Sequence, residues 1–221
     1  MGDTDRPDQE LPLYISRLRK CALPCYTCPY GGNVALSQEA KQYTYADFLG
    51  WDENARAELV DGEVVMLGAP STNHQGVLTE LLFQIRNYLE GKPCRVFVSP
   101  YAVRLNPQEN NGDDTVLEPD LVVICDSAKI EKHGCRGAPD MIVEIISPSS
   151  ASYDRVVKFR KYQQGKVREY WIVDPETKTV QVCVLNENGY LVTIYDHNES
   201  VPVAALPGCT IALGKIFAQV E

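Results

Sequence analysis

The sequence predicts an α/β (α+β) domain built on a mixed β-sheet flanked by helices, with extra β-hairpins. Three observations carry this prediction. Apolar runs of strand length alternate with amphipathic stretches of helix length. Their order is helix, three strands, helix, strand. Hairpin signals, Asp61-Gly62 and Asn188-Gly189, stand towards both ends of this series.

The first element is a short helix through Leu49, where Thr44 and Asp47 have the spacing of a capping box. Glu58–Val60 and Glu63–Leu67 flank Asp61-Gly62, a pair suited to a type I′ turn. Ser71 caps a helix running to about Glu90. Its apolar positions Val77, Leu78, Leu81, Leu82, Ile85 and Leu89 follow the helical repeat, and Gly91 and Pro93 end it. Strands follow at Arg95–Leu105, Val116–Cys125 and Met141–Ser147, with an exposed polar loop at Asn106–Asp114. Ser149, Ser150 and Ser152 offer caps for a helix over Tyr153–Gln164, closed by Gly165. Glu169–Val173 is the next strand. Lys178–Leu185 and Tyr190–Tyr195 form a hairpin around Asn188-Gly189, and Leu213–Phe217 is a final helical turn.

The 221 residues suit one domain, and 44% apolar with 23% charged residues excludes wholesale disorder. Residues 1–40 show charges, prolines and no sustained periodicity, and are expected to be a flexible extension before a domain at 41–221. Lysine and arginine number 21 against 30 acids, a net charge of −9. That excludes a generally basic nucleic-acid-binding surface, so any such contact must come from a local patch. No apolar run approaches the roughly 18 residues of a membrane span. The acidic start does not resemble a secretory signal, so the expected place is the cytoplasm, with no membrane partner. There are eight cysteines. A core of this size does not require disulfides, and Cys125 and Cys183, inside apolar runs, read as buried small hydrophobes.

Two apolar strands carry acids that a plain core would not hold unpaired. Asp120 stands at the mouth of Leu121–Ile124, as a strand-entry cap or a ligand. Glu144 lies within Met141–Ser147, as half of a buried ion pair or a ligand. Alternation puts Asp140, Ile142, Glu144 and Ile146 on one face. The next helix supplies the opposite charge: Tyr153–Glu169 holds six basic residues against two acids. Asp154, Lys158, Lys161 and Tyr162 fall close together on it. Two carboxylates and a backbone carbonyl suit Mg²⁺, and a lysine beside it is placed to orient or deprotonate water. A basic helix is suited to a nucleic-acid backbone.

From about Tyr43 to Phe217 the chain resembles the Uma-two family of nucleases, in the restriction-endonuclease-like PD-(D/E)xK superfamily. The matching residues are the run Glu58–Glu63, His74, Pro119-Asp120, Ala138-Pro139-Asp140 through Glu144, and Ser147-Pro148-Ser149. Asp154, Lys158, Tyr162 and the run Glu169–Pro175 also match. The resemblance implies a restriction-endonuclease-like core and a Mg²⁺- (or Mn²⁺-) dependent endonuclease cutting DNA, acting as a homodimer. It makes Asp120 and Glu144 the metal-holding acids and Glu58 an additional acid. The superfamily pattern has lysine at position 146, where this chain has Ile146; the resemblance puts Lys158 of the following helix in its place. Arg155 and Lys161 are then expected to contact nucleic acid. Lys158→Ala is expected to abolish cleavage with little change in melting temperature.

Two other readings stand beside this one. The first is a non-catalytic binding or assembly module of the same fold. The second is an iron–sulfur or zinc protein built on Cys21, Cys25 and Cys28, whose spacing needs a fourth ligand from elsewhere. His74, at a helix start, is a ligand, a general base or a packing residue. Trp171 is expected in the core.

Overall fold

The computed structural model describes residues 41–51, 56–148 and 150–220. The expectations for residues 1–40, for Cys21, Cys25 and Cys28, and for Ser149 lie outside the described residues.

Helix α1 (Tyr45–Phe48) opens with the expected capping box: the Thr44 backbone N–H donates to Asp47 Oδ2 at 2.9 Å. Strands β1 (Ala57–Val60) and β2 (Glu63–Met66) pair antiparallel. Their turn takes Asp61 at φ 50° and Gly62 at φ 78°, the double left-handed conformation that explains the Asp-Gly pair. Helix α2 (Thr72–Tyr88) starts at Ser71, whose hydroxyl accepts the His74 N–H at 3.2 Å.

The expected strand Arg95–Leu105 is two strands in two sheets: β3 (Arg95–Val98) and β4 (Val103–Arg104). Ser99-Pro100 separates them, and Pro100 has no N–H to continue a ladder. Likewise Val116–Cys125 narrows to β5 (Leu121–Ile124), while Val116 and Leu117 bridge to Leu59 and Val103. Short strands β6 (Ile130–Glu131) and β7 (Gly134–Arg136) join β4 in a small sheet that the sequence reading did not foresee.

Strand β8 (Met141–Ile145) leads into a helix whose first part is a π-helical turn, Tyr153–Lys158, continuing as α3 (Phe159–Gln164). The Phe159 N–H reaches back five residues to the Asp154 carbonyl. Gly165 closes the helix as expected, right-handed at φ −71°, and Lys166 takes the left-handed position at φ 65°. A Cβ on Gly165 would come within 3.0–3.1 Å of the Leu105 side chain, so close approach accounts for the glycine there.

Strand β9 (Glu169–Asp174) follows, then the hairpin β10 (Thr179–Asn186) and β11 (Gly189–Asp196). Asn186 pairs with Gly189, so the two-residue loop is Glu187-Asn188, one residue earlier than expected. A small pair, β12 (Ser200–Pro202) with β13 (Thr210–Ala212), precedes α4 (Leu213–Phe217).

The main sheet has the order β11-β10-β9-β8-β5-β3. Only β8–β9 is parallel, its crossover running through the π-helical turn and α3; the other neighbours in this sheet are antiparallel. Alternation along β8 divides the core. Met141, Val143 and Ile145 pack with Val77, Leu81 and Ile85 of α2 and with Trp171, which is fully buried as expected. Ile142 and Ile146 face the other way, with Tyr162 of α3 and Tyr170.

The disulfide Cys94–Cys125 corrects the reading of Cys125 as a plain buried hydrophobe. The antiparallel register pairs Arg95 with Ile124, so the next residues out, Cys94 and Cys125, stand opposite each other. That pairing of β3 with β5 was not legible in the sequence. Cys183 is buried and unbridged, as expected. Among the described residues no helix is long and apolar enough to cross a membrane.

Candidate active site

The register of β5 against β8 pairs Leu121 with Val143 and Val122 with Ile142. Continued by one residue, it sets Asp120 opposite Glu144. Opposed residues in an antiparallel pair share a face, with Cβ atoms roughly 4.5–5.5 Å apart. The ladder between β5 and β8 ends at Leu121, and the Asp120 side chain replaces it: Oδ2 accepts the Ile145 N–H at 2.7 Å. His74, from the start of α2, brings Nε2 within 3.1 Å of the same oxygen. Asp120 thus caps the neighbouring strand β8.

Glu144 is 3% exposed and points towards α3. Its Oε1 accepts from Lys158 Nζ at 2.8 Å and from the Tyr162 hydroxyl at 2.6 Å. Lys158 also meets Glu58 Oε1 at 2.9 Å and Asp154 Oδ1 at 3.5 Å. Glu58 is 0% exposed and saturated. Its Oε1 also accepts the Glu118 N–H at 2.8 Å, and its Oε2 accepts the Tyr153 hydroxyl at 3.0 Å. The π-helical turn puts Asp154 and Lys158 inward together, each 3% exposed, while Arg155 remains outside. Lys158 faces inward from the helix after β8, while Ile146 joins the core.

Three carboxylates around one ammonium set the electrostatics. Burial pushes the Glu144 carboxyl well above its ordinary value; Lys158 opposes this, while Asp154, Asp120 and Glu58 add to it. Burial also raises Asp154 against the pull of Lys158. Burial alone would lower Lys158, but Glu144, Glu58 and Asp154 outweigh it and hold the ammonium well above the usual lysine range. Such a lysine donates hydrogen bonds and does not take a proton from water.

The expectation that Lys158→Ala would barely alter the melting temperature is corrected by this burial. Removing one partner of a buried charge cluster costs about 3–5 kcal/mol, against ~0–1 kcal/mol for a surface pair.

Asp120, Glu144, Asp154, Lys158, His74 and Glu118 line one open cavity of about 200 Å³. That volume falls below the roughly 300–1,000 Å³ of pockets that enclose a small organic ligand. Glu58 lies behind Lys158 and supports it. Glu118, two residues before Asp120, was passed over in the sequence; its signal is the same strand alternation. Burial, and then Glu58, raise its carboxyl above the ordinary value. Tyr153 was also missed, because its reach to Glu58 depends on the π-helical turn.

Among the described residues no group of three or more His, Cys, Asp or Glu side chains is placed to hold a metal. Asp120 and Glu144 both line the cavity, and neither Asp120 Oδ1 nor Glu144 Oε2 has a hydrogen bond among the described residues. A pair of hard carboxylate oxygens with room for water fits Mg²⁺, which uses one or two carboxylates and keeps several waters. Arg155 and Lys161 do not line this cavity. Arg155 pairs with Asp174 at 3.0 Å, and Lys161 pairs with Asp61 in the β1–β2 turn.

A family model, Uma2, described as "Putative restriction endonuclease", matches residues 45–214. Two uncharacterized proteins of Synechocystis sp. (strain ATCC 27184 / PCC 6803 / Kazusa) are each 26% identical to the chain. One, slr1290, aligns over 77% of this chain and 89% of its own length. The other, sll1609, aligns over 61% and 76%. The crystal structure of "a putative nuclease belonging to DUF820" from Anabaena variabilis ATCC 29413 matches with a TM-score of 0.64 and 19% identity. It covers 81% of this chain and 99% of that one, a likeness of fold.

Proposed function

The chain belongs to the Uma2 family, described as "Putative restriction endonuclease", and from that membership we propose that it is a Mg²⁺- or Mn²⁺-dependent endonuclease hydrolysing DNA phosphodiester bonds. The observation that carries the reading is the convergence of Asp120, Glu144 and Lys158 on one small open cavity. In this reading Asp120 Oδ1 and Glu144 Oε2 hold the cation, which when bound neutralises charge on the phosphate being cut. Lys158 keeps its proton, and its positive charge offsets the negative charge that develops on the phosphate. Its third carboxylate neighbour, Asp154, and the saturated Glu58 hold the ammonium in place. Tyr162 fixes Glu144 through Oε1, which leaves Oε2 for the cavity.

Arg155 and Lys161 flank the site on the same helix and are its DNA contacts in this reading, released from Asp174 and Asp61 as a backbone phosphate approaches. Cutting both strands of a duplex takes two such sites, so the reading includes a homodimer, and a cytoplasmic protein that meets DNA there.

The test is nicking of supercoiled plasmid with and without Mg²⁺ or Mn²⁺, with Glu144→Ala alongside. Cation-dependent nicking by the wild type, absent in Glu144→Ala, is expected. Wild-type protein that leaves the plasmid intact with either cation, while binding it, moves the function to a non-catalytic module.

A further inference from the structure

We propose that His74 is a positioning residue for Asp120: it holds Oδ2 and so presents Oδ1 to a divalent cation in the cavity. The inference rests on the metal-dependent reading above and deepens it.

Three observations carry it. His74 Nε2 lies 3.1 Å from Asp120 Oδ2, with the two side chains only 13% and 14% exposed. The same Oδ2 accepts the Ile145 N–H at 2.7 Å, so two donors converge on one oxygen and Oδ1 has none among the described residues. The other ring nitrogen, Nδ1, is buried and has no hydrogen-bond partner in the structure.

The last observation fixes the tautomer. With the hydrogen on Nδ1, a donor would be buried unpaired and the Nε2 lone pair would face a carboxylate oxygen. With it on Nε2, the imidazole donates to Asp120 and only a bare acceptor is buried, which costs less.

The ring is itself held in place. The His74 backbone N–H is bound by the Ser71 hydroxyl, in the first turn of a 17-residue helix packed on the main core. Asp120 is therefore fixed from two elements, β8 through Ile145 and α2 through His74. A carboxylate fixed at one oxygen loses little freedom when the other takes a ligand, and such outer partners typically contribute about 10–100-fold to metal affinity.

The experiment has two arms. In the metal-free wild type, ¹⁵N NMR of His74 should report a proton on Nε2; an Nε2 that carries no proton overturns the inference. In the second arm, calorimetry with Mn²⁺ alone measures affinity for wild type, His74→Ala and His74→Gln, the last keeping an N–H near the place of Nε2. His74→Ala should bind Mn²⁺ about 10–100-fold more weakly, and His74→Gln should recover most of the loss. A merely structural role would lower the thermal midpoint of both variants together and leave affinity unmoved, which also overturns the inference. So does a His74→Gln as weak as His74→Ala. A wild type that binds no Mn²⁺ overturns the metal reading itself, an outcome separate from one in which wild type binds and His74 proves irrelevant.

Discussion

The Lys158 ammonium meets the Glu144 carboxylate at 2.8 Å with each side chain only 4% exposed. Fourteen residues separate them, and they come from a helix and a strand. Lys158→Ala should therefore lower unfolding free energy by about 3–5 kcal/mol, because Glu144, Glu58 and Asp154 are left buried without their cation. Lys158→Met, which keeps most of the volume, should still lose cleavage. Urea unfolding followed by fluorescence of the buried Trp171 measures the first effect, and an unchanged midpoint would contradict it.

Protonation of the cluster gives a second expectation. Burial raises Glu144 and Asp154 above ordinary carboxylate values. A carboxyl whose folded pKa exceeds its unfolded one holds its proton more tightly in the native state. Its contribution is complete below the unfolded value and is lost as pH rises through the folded value. Between neutrality and about pH 5, acidification should then raise wild-type stability relative to Glu144→Gln. Chemical denaturation of both proteins across that interval decides it; parallel curves would show that Glu144 carries no such shift.

The disulfide is separable from the site. Cys94 and Cys125 close a loop with a sequence separation of 31. Replacing both by alanine should cost about 2–4 kcal/mol of stability, chiefly by freeing the unfolded chain. Mn²⁺ affinity should not change, since neither cysteine lines the cavity. A large loss of affinity would mean that the bond also holds Asp120 in place through β5.

Lys161 and Arg155 differ from Lys158 in exposure and partner. Each forms one ion pair at the surface. Alanine at either position should alter stability by less than ~1 kcal/mol. If each contacts one phosphate, each variant should reduce the slope of log affinity for duplex DNA against log salt by about 0.9. Titrations at several salt concentrations test this, and a slope equal to wild type removes that residue from the interface.

The strands and helices that position the site were legible where local chemistry determines them. Asp61-Gly62 specified its turn, Ser71 its cap, and the alternation along Met141–Ile145 put Glu144 on the correct face. Lys158, which the family resemblance put in place of a lysine at position 146, reaches Glu144, whereas Lys161 pairs with Asp61. The failures share a cause in long-range pairing. The course of the chain after Pro100, the Cys94–Cys125 bond and the Glu58–Glu118 hydrogen bond all depend on which strands become neighbours. The π-helical turn was hidden as well: Tyr153 and Lys158 within it contact Glu58, 95 residues from Tyr153.

A lysine carried by the same strand as its acids would be present wherever that strand is formed. Lys158 arrives from a different element, so the charged cluster exists only while the helix is docked on the sheet. Proteins open in cooperative units smaller than the whole, and the sheet here carries a second layer, α2 packed with Trp171, in a core cluster separate from that of α3. The integrity of this cluster is thus a property of one packing interface. Opening that interface would scatter the cluster in a molecule that is still folded.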